Sequence, residues 1–359
     1  MSSSSSRSAQ AASSLHHAVA EDHIGDGIVS YLMVFFAIWW AWVNFTWFSS
    51  AYDNNDVIYR LLVFAQLFGA LVLAAGVTTA FEENSWGIPI VGYVIMRLPL
   101  AIQWLRAAVT DEQRRPTAIR YAAGVILVQI AWCGVYFIPD SAIIPVFLAL
   151  VVCELAVPAW AERAARTTWH AGHIAERYGL LTIIVLGESI LAATLAIEDT
   201  TITTTFDGDL TAIIAGAFLT VLSMWWLYFS RISEELLTTF ERTFVWGYGH
   251  YFIFSSAAAV GAGIAISVDY ATDHAAIGSF AAGASVAIPA AVFLMGIWSL
   301  HFRFLSNNRY ELFLAPAFAI AILLTPLTGF AVLLTGVLLA TLVALEVAIQ
   351  QRAIAPRSA

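Results

Sequence analysis

Apolar residues in this chain come in long unbroken blocks rather than in amphipathic stripes. The blocks fall near 27–50, 57–80, 87–107, 118–138, 141–160, 178–197, 210–230, 246–268, 276–301, 311–325 and 328–349. A helix of about 20 residues rises about 30 Å, the depth of a bilayer's hydrocarbon core. Each block is therefore read as a transmembrane helix, and the fold class as all-α: a polytopic transmembrane helical bundle of about eleven spans. The last two blocks flank Pro326 and read either as two spans or as one kinked helix. Pro89, Pro99, Pro158, Pro289 and Pro316 also lie in or near spans, where membrane helices tolerate proline. The expected organisation is a Ser/Ala-rich disordered tail over 1–24, one transmembrane domain over 25–350, and a short cytoplasmic tail over 351–359.

Composition strengthens this reading. Sixty per cent of the 359 residues are hydrophobic and 11% are charged, and the mean hydropathy is +0.80. Soluble domains carry about a quarter charged residues. The opening MSSSSSRSAQAASSLHHAVA has no apolar core of the signal-peptide kind. All sixteen basic residues are arginine and the net charge is −9, which suits a salt-loving organism, with GC-rich coding bias as the alternative source of the arginine, and gives no support to nucleic-acid binding. Cys133 and Cys153 lie at different depths of their helices, so they read as buried small residues and not as a disulfide.

The arginines sort by loop. One alternate set of loops holds Arg60, the Arg106–Arg120 group, the Arg163–Arg177 group, Arg231, Arg242, Arg303, Arg309, Arg352 and Arg357. The other set holds Glu82, Glu83, Asp140, Glu198, Asp199, Asp207, Asp209, Asp269 and Asp273 and no arginine. By the positive-inside rule the first set is cytoplasmic, as is the C-terminus. Only Arg7 and the intramembrane Arg97 stand apart. An odd span count places the N-terminus outside; an inside start with one more span is simpler.

An internal repeat is also expected. FAIWWAWVNFTWFSSAYD in span 1 and FLTVLSMWWLYFSRISEE in span 7 each carry a double tryptophan, Trp39–Trp40 and Trp225–Trp226, before the cytoplasmic end. Two copies of one orientation make a parallel repeat, with halves near 25–160 and 175–350. In that register span 6 lacks a partner ahead of span 1. Interface anchoring is the better reading of the tryptophans themselves.

HIAERYGLLTIIVLGESILAAT, residues 173–194, resembles the most characteristic stretch of the low-temperature-requirement A (LtrA) family of bacterial and archaeal membrane proteins. FFAIWWAWVNFTWFSSAYDNNDVIYRLLVFAQL and WGYGHYFIFSSAAAVGAGI are similar to it too. The motif residues are Glu176, Arg177, Tyr178, Gly179, Gly187, Trp39, Trp40, Trp225, Trp226 and His250. The family typically opens with an acidic, aromatic helix of the type ELFFDLVFV; here SSLHHAVAEDH resembles the segment after it. The resemblance thus implies one N-terminal span missing relative to the family. It supplies a cold-growth phenotype in name and no molecular activity.

Among the residues that can carry chemistry, Glu188 stands first, about ten residues into span 6. An ionisable group at that depth usually faces a bundle interior or cavity. Gly187 and Ser189 beside it permit close helix approach and a hydrogen bond. Arg97, at matching depth in span 3, is its expected counter-ion, with Glu154 as the alternative. Either pair serves as an ion pathway or as a fixed structural bridge. Gln66, Gln103, Gln129 and Asn44 read first as interhelical glue, with Gln66 and Ser189 kept beside the Glu/Arg pair as pathway candidates. His170, His173 and Glu176 lie on one helical face but lack the His-Glu-x-x-His pattern, so no metal is expected. His250 and His301 read as structural.

There is no phosphate loop, no Gly-x-Ser-x-Gly elbow and no Cys-x-x-Cys. ATP-driven transport by this chain alone is excluded, and neither an enzyme nor a cofactor is expected. The leading function is a secondary transporter or ion-permeable protein using an intramembrane Glu/Arg pair. A non-catalytic membrane protein of cold or osmotic stress is the alternative. The expected partners are the lipid bilayer and a small solute or ion, with homo-oligomerisation left open.

Overall fold

The computed structural model describes residues 15, 16, 19, 24–52, 54, 56–77, 79, 85–201, 208–230, 237, 239–303 and 309–354. Its elements are α-helices: α1 (Ile24–Ala51), α2 (Val57–Ala75), α3 (Gly87–Thr110), α4 (Arg115–Gly134), α5 (Asp140–Ala161), α6 (Ala171–Thr201), α7 (Gly208–Phe229), α8 (Phe240–Ala271), α9 (Ser279–Ile297), α10 (Arg309–Leu324) and α11 (Ala331–Ile354). No strand occurs among the described residues.

Ten of these helices are long and apolar enough to cross a membrane. The exception is α10, whose 16 residues rise only about 24 Å at 1.5 Å each, short of the hydrocarbon core. A 3₁₀ turn over Thr325–Leu327 separates α10 from α11, so the Pro326 region is two helices and not one kinked helix. Much of the tail expected over 1–24, and most of 351–359, lies outside the described residues. So do Arg7, Glu82, Glu83, Asp207, Arg231 and Arg357, together with the side chains of Glu198, Asp199, Arg309 and Arg352. Leu15, His16 and Val19 are helical; Leu15 and Val19 are buried, and His16 meets Asp269 at 2.6 Å.

The chain divides into two compact units. One holds Val29–Ile174 and the other Ala175–Ala359 with Ala12–Ile28. In the first, α2 packs on α3, α3 on α4 and α4 on α5; in the second, α8 packs on α9, α9 on α10 and α10 on α11. The sequential order of these pairs is the same, and in the second unit α7 and α9 also pack on α11.

Two different means close these interfaces. The first unit has an aromatic core: Trp40, Phe48, Tyr93, Trp104, Tyr121 and Trp132 are all buried. The second is built on α8, 83% of whose apolar window is enclosed. There a run of small residues, Ser255-Ser256-Ala257-Ala258-Ala259-Val260-Gly261-Ala262-Gly263, lets neighbouring backbones come close.

Glycine sets the closest approach in the first unit. A Cβ on Gly69 would lie 2.7 Å from the Met96 main-chain nitrogen, and one on Gly92 would strike the Leu73 backbone. Gly187, by contrast, faces open space, and the close approach is made two residues on, on the other side of the helix: Gly261 of α8 abuts Ser189 of α6.

Gly92→Ala is therefore expected to destabilise the protein by about 1–3 kcal/mol through overpacking. Gly187→Ala is expected to be neutral or to gain up to about 1 kcal/mol of helix propensity. Thermal midpoints of the two purified variants in detergent, compared with the parent, check the contrast.

Candidate functional site

α3 carries Tyr93, Arg97 and Trp104 on one face, since residues four and seven apart fall on one side of a helix. All three are buried. Facing them from α5 is Glu154, 0% exposed. Arg97, 2% exposed, reaches it through Nη2 at 2.5 Å. Arg97 thus pairs with Glu154, the alternative partner, and not with the expected Glu188. The reason lies in packing: α3, α4 and α5 are successive neighbours within one unit, whereas Glu188 belongs to the other unit.

Glu154 receives four donors. Trp40 Nε1 (2.8 Å) and Arg97 Nη2 bond Oε2, while Tyr93 Oη (3.1 Å) and Trp132 Nε1 (3.1 Å) bond Oε1. A carboxylate offers about four acceptor positions, and here all are used. Arg97 is less well served. Its Cζ lies 5.4 Å from the centre of the Tyr93 ring, but Nε and Nη1 are buried with no hydrogen-bond partner among the described residues. Prolines adjoin both charges. Pro158 has no N–H to give the Glu154 carbonyl four residues earlier, and Pro99 has none for Ile95.

Toward the N-terminal end of α3 a small cavity of about 40 Å³ abuts this centre. Tyr93 and Trp132 form part of its wall, with Phe36, Trp86 and Phe147. Toward the C-terminal end of α3, Gln66 donates to Gln103 at 2.9 Å. Trp104 then stacks on Tyr121, 4.0 Å between ring centres, and Tyr121 donates to Glu162 at 3.0 Å. At the helix end, Tyr52 donates to Asp111 at 3.2 Å and Arg114 pairs with Asp111 at 3.1 Å. Partial burial pushes the Asp111 carboxyl up, but bonds from Arg114 and Tyr52 outweigh it and hold it below 3.8.

The second unit holds a polar cluster without charge. His250 Nδ1 lies 2.7 Å from the Trp246 carbonyl, which can only accept, so Nδ1 donates. In the neutral ring Nε2 then accepts from Tyr228 Oη at 3.2 Å. Trp246 Nε1 can only donate, so His301 Nε2 accepts it at 3.0 Å and the His301 ring hydrogen sits on Nδ1. Both histidines are fully buried, and Tyr178 packs edge-on against His250. His301 falls in a π-helical turn over Trp298–Phe302.

The other expected residues divide. Glu188 is only half-buried, while Ser189 is buried and donates to the Val185 and Ala257 carbonyls. Trp39 and Trp40 are core residues 3% and 1% exposed, while Trp225 and Trp226 are exposed. Trp39–Trp40 lie near the middle of α1 and not at its end, so interface anchoring fails for that pair. Cys133 is half-buried and Cys153 exposed, neither in a disulfide, which corrects their reading as buried. His170, His173 and Glu176 are exposed, Arg177 is half-buried and Gly179 buried. Among the described residues no three metal-ligating side chains converge.

One signal was overlooked. Leu150-Val151-Val152-Cys153-Glu154-Leu155-Ala156 of α5 is matched by Leu342-Val343-Ala344-Leu345-Glu346-Val347-Ala348 of α11. Glu346 is likewise buried. This match, more than the tryptophan pairs, sets the two halves in register and singles out Glu154.

A chain of long apolar helices with an ion pair buried at span depth is a multi-pass α-helical membrane protein. It belongs to the bacterial low temperature requirement A protein (LtrA) family, whose model matches residues 8–349. A protein of Rhizobium meliloti (strain 1021), described as uncharacterized, is 27% identical over 248 residues, 64% of this chain and 59% of that protein. The match therefore spans less than two thirds of that relative's length. No solved structure matches.

Breaking a buried pair leaves one charge uncompensated and costs about 3–5 kcal/mol. Glu154→Gln and Arg97→Met are each expected to lose about that much, and the double variant less than the sum. A double-mutant cycle on denaturation midpoints checks this. Because Asp111 is held below 3.8, its contribution to stability is present above that pH and lost as pH falls through the lowered value. Asp111→Asn should flatten the acid limb of stability against pH.

Proposed function

We propose that the protein is a secondary transporter or ion-permeable membrane protein whose solute path runs through the first unit, with the C-terminus and the arginine-bearing loops cytoplasmic. The observation that carries this reading is the join between cavity and charge. Tyr93 and Trp132 wall the cavity on one side and hold Glu154 on the other, and Arg97 retains buried donors available to a solute or water. Buried polar groups are normally paired, and ionisable groups at membrane depth commonly mark pathways. Along α3 the polar positions continue from Arg97 through Gln103 to Asp111, reaching the cytoplasmic end.

A second reading keeps the protein non-catalytic, with a role in cold or osmotic stress. It draws support from the near-complete enclosure of the pair and the full complement of donors on Glu154, as in a fixed cross-link. An arginine-only basic set fits a salt-rich setting under either reading.

Proteoliposomes separate the two. Under an imposed pH gradient and then a sodium gradient, the parent is expected to move charge or protons above empty liposomes. Glu154→Gln and Arg97→Gln should lower that flux at least about tenfold, and Glu188→Gln should change it far less. Parent flux equal to that of empty liposomes for both ions, with folded protein, would favour the stress reading.

A further inference from the structure

We propose that the arginine-bearing ends of α4 and α5 form a site for an anionic phospholipid, its phosphate held by arginine and an acyl chain lying along the outer faces of the two helices. Arg115 and Arg120 stand in the first two turns of α4, and Arg163 and Arg166 just beyond the end of α5. Main-chain contacts bring the two segments together. Thr117 Oγ1 donates to the Ala165 carbonyl at 2.6 Å and accepts from the Ala165 N–H at 2.9 Å. Arg114 Nε donates to the Arg166 carbonyl at 3.0 Å. Arg120 Nη1 donates to the Trp160 carbonyl at 3.3 Å, and its Cζ lies 5.6 Å from the centre of the Trp160 ring.

The protein itself leaves this positive charge only partly neutralised. Arg106 pairs with Asp56 and Arg114 with Asp111. Arg115 and Arg163 are exposed and enter no ion pair among the described residues. The other carboxylates of these turns are Glu112, which is exposed, and Glu162, which is buried and bonded by Tyr121 and Thr167. The first turn of α4 also has no acidic residue and no side-chain cap, so the helix dipole opposes the arginines gathered there. An anion relieves both, and guanidinium forks match phosphate oxygens in pairs. The surface beside the arginines selects a lipid over free phosphate. Ile119 and Trp160 are exposed next to the charged rim, and Ile130 and Val152 carry an exposed apolar strip further along α4 and α5. At span depth such a strip meets acyl chains, and an indole beside a guanidinium suits headgroup level.

This inference is independent of the transport reading and needs only that the bundle sits in a membrane. Native mass spectrometry of the delipidated full-length protein, titrated with palmitoyl-oleoyl phosphatidylglycerol or phosphatidylcholine, tests it. The anionic lipid is expected to bind about tenfold or more tighter, with the preference shrinking as salt rises. An arginine near a membrane surface contributes about fivefold to affinity for anionic lipid. Arg120→Gln and Arg163→Gln should each weaken phosphatidylglycerol by about that factor and leave phosphatidylcholine unchanged. Arg303→Gln, at an exposed position of the second unit, should change neither. Arg120 helps to dock the two helices, so Arg163→Gln keeps the test decisive where Arg120→Gln disturbs the fold. Equal affinity for the two lipids, or an anionic preference unchanged in Arg163→Gln, would overturn the proposal. Inorganic phosphate binding as tightly as phosphatidylglycerol, read by calorimetric titration, would make this a free-phosphate site and overturn the lipid assignment.

Discussion

A carboxylate at membrane depth must be given back, by the protein, the hydrogen bonds it loses on leaving water. In the first unit that requirement ties four helices to one point. Glu154 belongs to α5, and its donors come one each from α1 and α4 and two from α3. No donor can be withdrawn without leaving a buried acceptor short, so the positions of the four helices are mutually constrained. The aromatic character of this core follows. Indole and phenol are the side chains that fill apolar volume and still present one polar hydrogen, and three of the four donors are of that kind. Arg97 supplies the charge and little else, since two of its donor nitrogens stay unmatched.

The second unit also buries a carboxylate, Glu346, but its most connected polar cluster is neutral. α8 brings small residues against α6 and α9, so that backbones approach at Gly261 and Gly263. Its His250–His301 cluster is held by tryptophan and tyrosine, with the hydrogen-bond directions fixed by donors and acceptors that cannot exchange roles, and His301 Nδ1 is left buried with no partner among the described residues. One unit concentrates its polar energy at an ion pair; the other spreads it through close packing and neutral hydrogen bonds. The match of Glu346 to Glu154 shows that this difference does not lie in the fifth helix of each half. It lies in the third: α3 carries Arg97, whereas α9 and its π-helical extension through Phe302 contain no arginine.

Helix positions were legible in the sequence because span length is fixed by bilayer thickness, a one-dimensional constraint. The eleven apolar blocks correspond one for one to α1–α11, and the shortfall of α10 was visible in the brevity of 311–325. The partner of Arg97 was less legible. Depth along a span limits the candidates to residues at one level, and both Glu154 and Glu188 met that test; which helices adjoin is a two-dimensional fact that depth does not contain. The tryptophan pairs misled for a related reason. Trp39–Trp40 and Trp225–Trp226 look alike as text, but the first pair is buried, with Trp40 donating to Glu154, and the second is exposed, and only side-chain direction distinguishes them. The Glu154–Glu346 correspondence was readable throughout, since it required nothing beyond aligning α5 with α11.

Proline placement gives the charged centre its remaining asymmetry. Glu154 precedes Pro158 by four residues and Ile95 precedes Pro99 by four, so the main-chain carbonyls of Glu154 and Ile95 each lack the amide that a regular helix would supply. Both belong to the two helices that hold the ion pair. Helices interrupted in this way are stable in a membrane only where other groups meet the freed carbonyls.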